Sequence, residues 1–141
     1  MTLSSAAEAF VGDARIARFA TVDAHGRPHV VPVCFVYHDG CVYSALDAKP
    51  KRVAANELRR VRNLLANPEV QVLIDRYDDD WTRLAYVQLR GRAALLQPGV
   101  EHAAALALLQ AKYPQYETMA LADEPVIKVE VERAVVWGKI E

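Results

Sequence analysis

Between positions 49 and 62 the chain carries Lys49, Lys51, Arg52, Arg59, Arg60 and Arg62, opposed only by Glu57. The formal net charge of all 141 residues is −1, so this positive charge is local. Ammonium and guanidinium groups gathered this closely hold phosphates and carboxylates through charge-assisted hydrogen bonds of about 1.5–3 kcal/mol each. Ser44 stands just ahead of the cluster, in the apolar run Cys41–Leu46, and its hydroxyl can donate or accept. The order implies a strand that ends in a basic loop and hands over to a helix bearing more arginines. Such a corner can hold a small anionic ligand beside a sheet. The competing reading is a solvated helix face whose arginines pair with Glu57 or with the acidic stretch Asp78–Asp80, each exposed pair contributing about 0–1 kcal/mol.

The elements that would position these groups can be read from periodicity. Ser5-Ala-Ala-Glu8 has the form of a capping box, predicting a short helix that ends near Gly12-Asp13. Arg15–Val22 and Pro28–Tyr37 read as two strands of a hairpin joined by Asp23-Ala-His-Gly-Arg27, and Asp39-Gly40 turns into a third strand, Cys41–Leu46. Together they predict an antiparallel meander. The period then becomes helical over Val53–Ala66, with Ala54, Leu58, Val61 and Leu65 on one stripe and Arg52, Asn56, Arg59 and Asn63 opposite, until Asn67-Pro68 stops it. Val70–Asp75 is a fourth strand, and Trp81–Leu96 a long fifth strand bent at Gly91. Pro98-Gly99 opens a helix with Ala103, Leu106, Ala107 and Leu109 inward, closed by Pro114, and Val126–Trp137 is a sixth strand. Six antiparallel strands with two main helices predict a mainly β, closed or split barrel forming a single domain over residues 1–141.

Composition narrows the functional classes. No window approaches the roughly 20 consecutive apolar residues of a membrane-spanning helix, and the N-terminus lacks a secretory pattern, so the expected compartment is the cytoplasm. Cys34 and Cys41 are expected to be free, buried thiols, with His38 facing Cys41 across the Asp39-Gly40 turn. His25, His38 and His102 have no second ligand at metal spacing, so no metal site is expected. A small barrel with basic and aromatic residues could take single-stranded nucleic acid, but the slight negative charge and the compactness of the cationic cluster argue against a groove that tracks a strand.

Four segments, in order and spacing, resemble one family. They are Phe19-Ala-Thr-Val-Asp-Ala-His-Gly-Arg-Pro28, Val42-Tyr-Ser-Ala-Leu-Asp47, Arg62-Asn-Leu-Leu-Ala-Asn-Pro-Glu-Val70 and Tyr86-Val-Gln-Leu-Arg-Gly-Arg-Ala93. Over nearly its whole length the chain resembles the split β-barrel flavin and deazaflavin reductases related to pyridoxamine phosphate oxidase. With Asp80-Trp81 ahead of the fifth strand, it is similar to the branch of probable coenzyme F420-dependent oxidoreductases. The resemblance implies an FMN-binding-like, six-stranded split barrel that forms a homodimer with cofactor grooves between subunits. It further implies that Ser44, Lys49, Lys51, Arg59 and Arg60 hold the cofactor phosphate and that the ring lies near Pro32, Val33 and Ala45. Trp81 and Tyr86 would wall the groove from the opposite subunit.

The second strand, Val31-Pro-Val-Cys-Phe-Val36, lacks the basic residues with which the FMN oxidases also grip phosphate, and the C-terminus lacks their arginine motif. The loss of those phosphate ligands leans toward coenzyme F420, with FMN the alternative, and the two departures together lean away from vitamin B6 oxidation. The implied reaction is hydride transfer to an unsaturated small organic substrate, with Tyr37, Tyr43, Tyr86 and His29 the candidate proton donors. A cofactor carrier without turnover is the other class the resemblance leaves open, and heme handling, known among split-barrel relatives, lacks an evident axial histidine.

Overall fold

A computed structural model describes residues 2–46 and 58–141. Its elements are α1 (Ser5–Asp13), β1 (Ala17–Val22), β2 (Pro28–Val33), β3 (Val36–His38), β4 (Cys41–Ala45), α2 (Arg59–Ala66), β5 (Glu69–Arg76), β6 (Ala85–Leu96), α3 (Val100–Lys112) and β7 (Val126–Gly138). Trp81–Arg83 and Pro114–Thr118 are short 3-10 turns. The strands form one antiparallel sheet of seven in the order β2-β1-β5-β6-β7-β4-β3.

That order dictates the shape. β2 and β3 are the opposite edges of the sheet, yet only Cys34 and Phe35 separate them in the chain. Seven strands laid flat at about 4.8 Å spacing would put the edges roughly 29 Å apart. Three chain steps from Val33 to Val36 reach about 10 Å at most. The sheet therefore curls until its edges face each other across an unpaired seam, giving a half-barrel flanked by helices.

The predicted strand Pro28–Tyr37 is thus two strands, which makes seven strands where six were expected and removes the predicted meander. β2 pairs with β1, while β3 pairs with β4 on the far edge. Between them the backbone turns out of the ladder because side chains take over its hydrogen bonds. Ser44 Oγ donates to the Cys34 carbonyl at 2.8 Å, and the Phe35 N–H donates to Tyr113 Oη at 3.1 Å. Buried backbone groups need such partners wherever a ladder stops.

The local turns follow their chemistry. Asp39 and Gly40, at φ 53° and 81°, supply the two left-handed positions of the β3–β4 hairpin, and His38 lies opposite Cys41 as expected. Asp23 braces the β1–β2 hairpin by accepting from the N–H groups of His25 and Arg27 at 2.8 and 2.9 Å. The Arg27 N–H is the largest influence holding its carboxyl down at about 2. Along β6 the register to β7 shifts between Arg90 and Gly91, the bend expected at Gly91. A Cβ there would run into the Glu130 carbonyl.

The helices depart from the predicted faces in detail. Ser4, not Ser5, caps α1, accepting from the Ala7 N–H at 3.2 Å. On α2, Val61 and Leu64 are buried while Leu65 is 60% exposed. Asn63, expected outside, is inside, where its Nδ2 donates to Thr21 Oγ1 at 3.0 Å. On α3 the inward residues are His102, Ala105, Leu106 and Leu109, and Ala103 and Ala107 face out. His102 Nε2 lies 2.6 Å from the Glu124 carbonyl.

Two apolar clusters hold the fold. One fills the curl, with Phe19, Phe35, Val61, Ile74, Leu89 and Ile127 among its members, and the other packs α3 against the sheet through Leu106, Leu109, Tyr113, Tyr116 and Val126. Complete burial of such side chains contributes about 1.5–3 kcal/mol each. No helix among the described residues is long and apolar enough to cross a membrane.

Candidate functional site

The seam is also where five of the predicted site residues meet. Pro32, Val33, Ser44, Ala45 and Arg60 line one cavity of about 230 Å³, joined by Ile16, Cys34 and Tyr116. Each wall has a simple origin. Ile16 precedes β1, Pro32 and Val33 end β2, and Cys34 occupies the break, while Ser44 and Ala45 close β4 on the opposite edge. Arg60 comes from the first turn of α2, whose Val61 and Leu64 pack inward and whose Asn63 is tied to β1 through Thr21. Anchored by these later residues of its helix, the half-buried Arg60 is carried to the mouth of the seam.

The arrangement offers three kinds of contact. Arg60 supplies a permanent cation with donors in a fixed fork, suited to phosphate or carboxylate oxygens. Ile16, Pro32, Val33 and Ala45 supply an apolar wall for a flat ring. Ser44 enters differently from expectation. Because its proton is engaged with the Cys34 carbonyl, it presents oxygen lone pairs to the cavity and not a donor for an anion. A cation, an apolar wall and an acceptor fit the acidic tail, ring face and polar ring edge of a flavin-like cofactor.

The other predicted residues fall elsewhere. Lys49 and Lys51 lie outside the described residues. Arg59 is exposed on α2 and does not line the cavity. Trp81 is 72% exposed on its 3-10 turn, with Nε1 donating to Tyr77 Oη at 3.4 Å, and Tyr86 stacks on Trp137 with ring centroids 5.5 Å apart. Neither Trp81 nor Tyr86 touches the cavity of its own chain. The acidic stretch pairs internally and not with α2. Asp78 binds Arg83 at 3.1 Å, and Asp80 Oδ1 accepts from the Thr82 hydroxyl at 2.7 Å and from the Thr82 N–H at 3.1 Å, which in that order hold its carboxyl low.

None of the four candidate proton donors lines the cavity. Tyr43 is committed to another cluster. Its hydroxyl donates to Glu101 Oε2 at 2.7 Å, and Lys128 Nζ meets the same oxygen at 2.7 Å. Burial first, then this bond to Glu101, raises the Tyr43 phenol well above its ordinary range, while the Lys128 contact leads in holding the Glu101 carboxyl low. Tyr37 is likewise raised, chiefly by burial. His29 stands on β2 opposite Thr21, half-buried. The dissociable protons of the cavity lining belong instead to Cys34, Ser44 and Tyr116.

Cys34 and Tyr116 were missed at the level of sequence. Cys34 looks like one more apolar strand residue, and Tyr116 reaches the seam only because Pro114 starts a turn that folds back after α3. Both cysteines are free as expected, though half-buried where full burial was expected. Among the described residues no group of three or more metal-ligating side chains occurs.

The curled sheet has well-matched counterparts among solved structures. A heme storage protein from Vibrio cholerae superposes with a TM-score of 0.74 at 19% identity, covering 99% of this chain and 96% of that one. A heme binding protein from Mycobacterium smegmatis gives 0.75 at 22% identity, covering 99% and 56%. A FAD-binding protein from Mesorhizobium loti gives 0.69 at 23% identity, covering 96% and 95%. At such identities the likeness is one of fold. No curated protein matches the sequence significantly. The sequence pattern of the family described as Pyridoxamine 5'-phosphate oxidase, however, matches residues 3–138, and the seven strands curl as that family's barrel requires. The chain belongs to the pyridoxamine 5'-phosphate oxidase family.

Proposed function

We propose that the seam cavity binds a flavin-type redox cofactor, coenzyme F420 in preference to FMN, and that the chain is an oxidoreductase acting on an unsaturated small organic substrate. The observation that carries this reading is the convergence of Arg60 with Pro32, Val33, Ser44 and Ala45 in one cavity at the sheet's open edge. When bound, such a cofactor supplies the hydride chemistry, and the protein supplies binding, orientation and dryness. Arg60 takes the acidic tail. The apolar walls exclude water from the ring, and Ser44 Oγ, held by the Cys34 carbonyl, accepts a hydrogen bond from its polar edge. The uncharged stretch Val31–Val36 offers no second cationic grip, which favours the deazaflavin.

A second copy of the chain completes the site. Ligand clefts commonly enclose about 300–1,000 Å³, and the 230 Å³ of one chain falls below that range. Trp81, Tyr77 and Trp137 are 72%, 68% and 50% exposed, as large aromatics are when an interface is missing. In the homodimer, Trp81 and Tyr86 wall the partner's groove.

Titrating the purified protein with F420, FMN and heme tests the reading. F420 fluorescence should shift at micromolar protein, with FMN held more weakly. Arg60→Ala should weaken F420 binding at least about ten-fold, the loss expected for one charge-assisted hydrogen bond, and should reduce its salt dependence. Tight FMN with no F420 response would overturn the choice of F420 in favour of FMN. A heme Soret shift with no response to either flavin would overturn the proposal.

A further inference from the structure

One hydroxyl and one ammonium brace the β1–β2 side of the seam from behind. Tyr113 follows the last turn of α3 and is 6% exposed. Its Oη accepts from the Phe35 N–H at 3.1 Å and lies 2.9 Å from the Arg15 carbonyl and 3.1 Å from the Phe35 carbonyl. A phenol has a single proton to give. Lys112 Nζ donates to the Phe35 carbonyl at 3.0 Å, which leaves the Tyr113 proton for Arg15. Arg15 closes the loop, donating from its guanidinium to the Lys112 carbonyl at 2.9 Å and lying 4.8 Å above the Tyr113 ring.

The residues tied in this way are the immediate neighbours of the cavity walls. Arg15 precedes Ile16, and Phe35 follows Cys34. Lys112 Nζ also sits 4.0 Å from the Phe35 ring centroid, so both the backbone and the side chain of the break are gripped. Tyr116, itself in the cavity lining, stands with its ring centroid 5.6 Å from that of Tyr113. Without these bonds, the Phe35 N–H and C=O would be buried beside an unpaired edge.

We propose that Tyr113 and Lys112 are positioning residues of the cofactor cavity, fixing the Ile16 and Cys34 walls through the backbone of Arg15 and Phe35. The inference rests on the reading of the cavity as a flavin-type site. The two residues touch no ligand themselves. They hold the break that follows β2, to which the end of β4 is bonded through Ser44 Oγ and the Cys34 carbonyl, and so fix the wall against which a planar ring would rest. Helix α3 thereby becomes the backing of the site, although none of its side chains lines the cavity.

Tyr113→Phe keeps the ring in the core and deletes only the hydroxyl. In the ligand-free protein, hydrogen exchange at the Phe35 amide should quicken about ten-fold or more, with the thermal midpoint lowered by only a few degrees. F420 or FMN should bind about ten-fold more weakly, with a changed absorption and fluorescence spectrum for the bound form. A merely structural tyrosine would leave that spectrum as in the wild type. Unchanged affinity and spectrum would overturn the proposal, as would unchanged exchange at Phe35. Should Tyr113→Phe not fold, Lys112→Met is read by the same measurements. If the wild-type protein binds neither cofactor, the functional reading falls alone, and the clamp is decided without ligand by alkylation of Cys34, followed by peptide mass and separated from Cys41. Faster labelling in Tyr113→Phe than in wild type supports the clamp, and an unchanged rate refutes it.

Discussion

Lys112 shows how much one side chain can be asked to do at the edge of a core. Its ammonium donates to a carbonyl and rests on the Phe35 ring, but burial, aided by the nearby Arg15 charge, pushes it down from 10.5 to about 8. Because its folded pKa is depressed, the folded chain loses the proton first as pH rises, while the unfolded chain keeps it until about 10.5. Between those values the unfolded state binds more protons, so the Lys112 contribution to stability increases with pH. The difference in urea midpoint, wild type minus Lys112→Met, should therefore grow in favour of wild type from pH 7 to pH 10. A flat difference would show that the ammonium is not strained by its surroundings. Residues of this kind were not legible in the sequence, where Lys112 is one cation at the end of a helix. Arg60 was legible, because it sits in a local excess of charge beside a strand end, and the structure brings it to Ser44 and Ala45. Arg59, its neighbour in the same excess, turns outward, because adjacent residues on a helix do not share a face.

Among the elements, β2 and β3 mark the limit of pattern reading. Val30-Val-Pro-Val-Cys-Phe-Val36 has nothing in its periodicity to stop a strand, and the break depends on Ser44 and Tyr113, 10 and 78 residues from their backbone partners. Helix α2 was misread for a related reason. Its stripe was centred on Leu58, Val61 and Leu65, but the helix is turned so that Asn63 meets the Thr21 hydroxyl, a partner no local pattern reveals. Gly91 was legible, since a glycine inside a long strand signals a bulge or close approach. Gly91→Ala should cost about 1–3 kcal/mol in urea unfolding, because the added methyl must displace the β7 backbone at Glu130. Loss of less than a few tenths would mean that the bulge shifts freely to make room.

For the molecule as a whole, the barrel was legible from its alternating strands and tight turns, whereas the seam was not, because it follows from strand order. The paired copy expected at this scale can be measured directly. Light scattering at micromolar concentration should give about twice the 15.7 kDa of one chain, and Trp81→Lys should shift the population toward single chains. A mass of one chain at that concentration would remove the shared groove and leave the 230 Å³ cavity to act by itself. The strand order also carries a kinetic consequence. β1–β2, β3–β4 and β5–β6 are hairpins that each chain segment can form locally, while the β1–β5, β4–β7 and β6–β7 joins bring together segments distant in sequence. Closing those loops costs chain entropy before any contact repays it. During refolding, three ribbons should thus appear early, and because two residues tether the outermost pair from the outset, the slow event is the insertion of the middle strands between them.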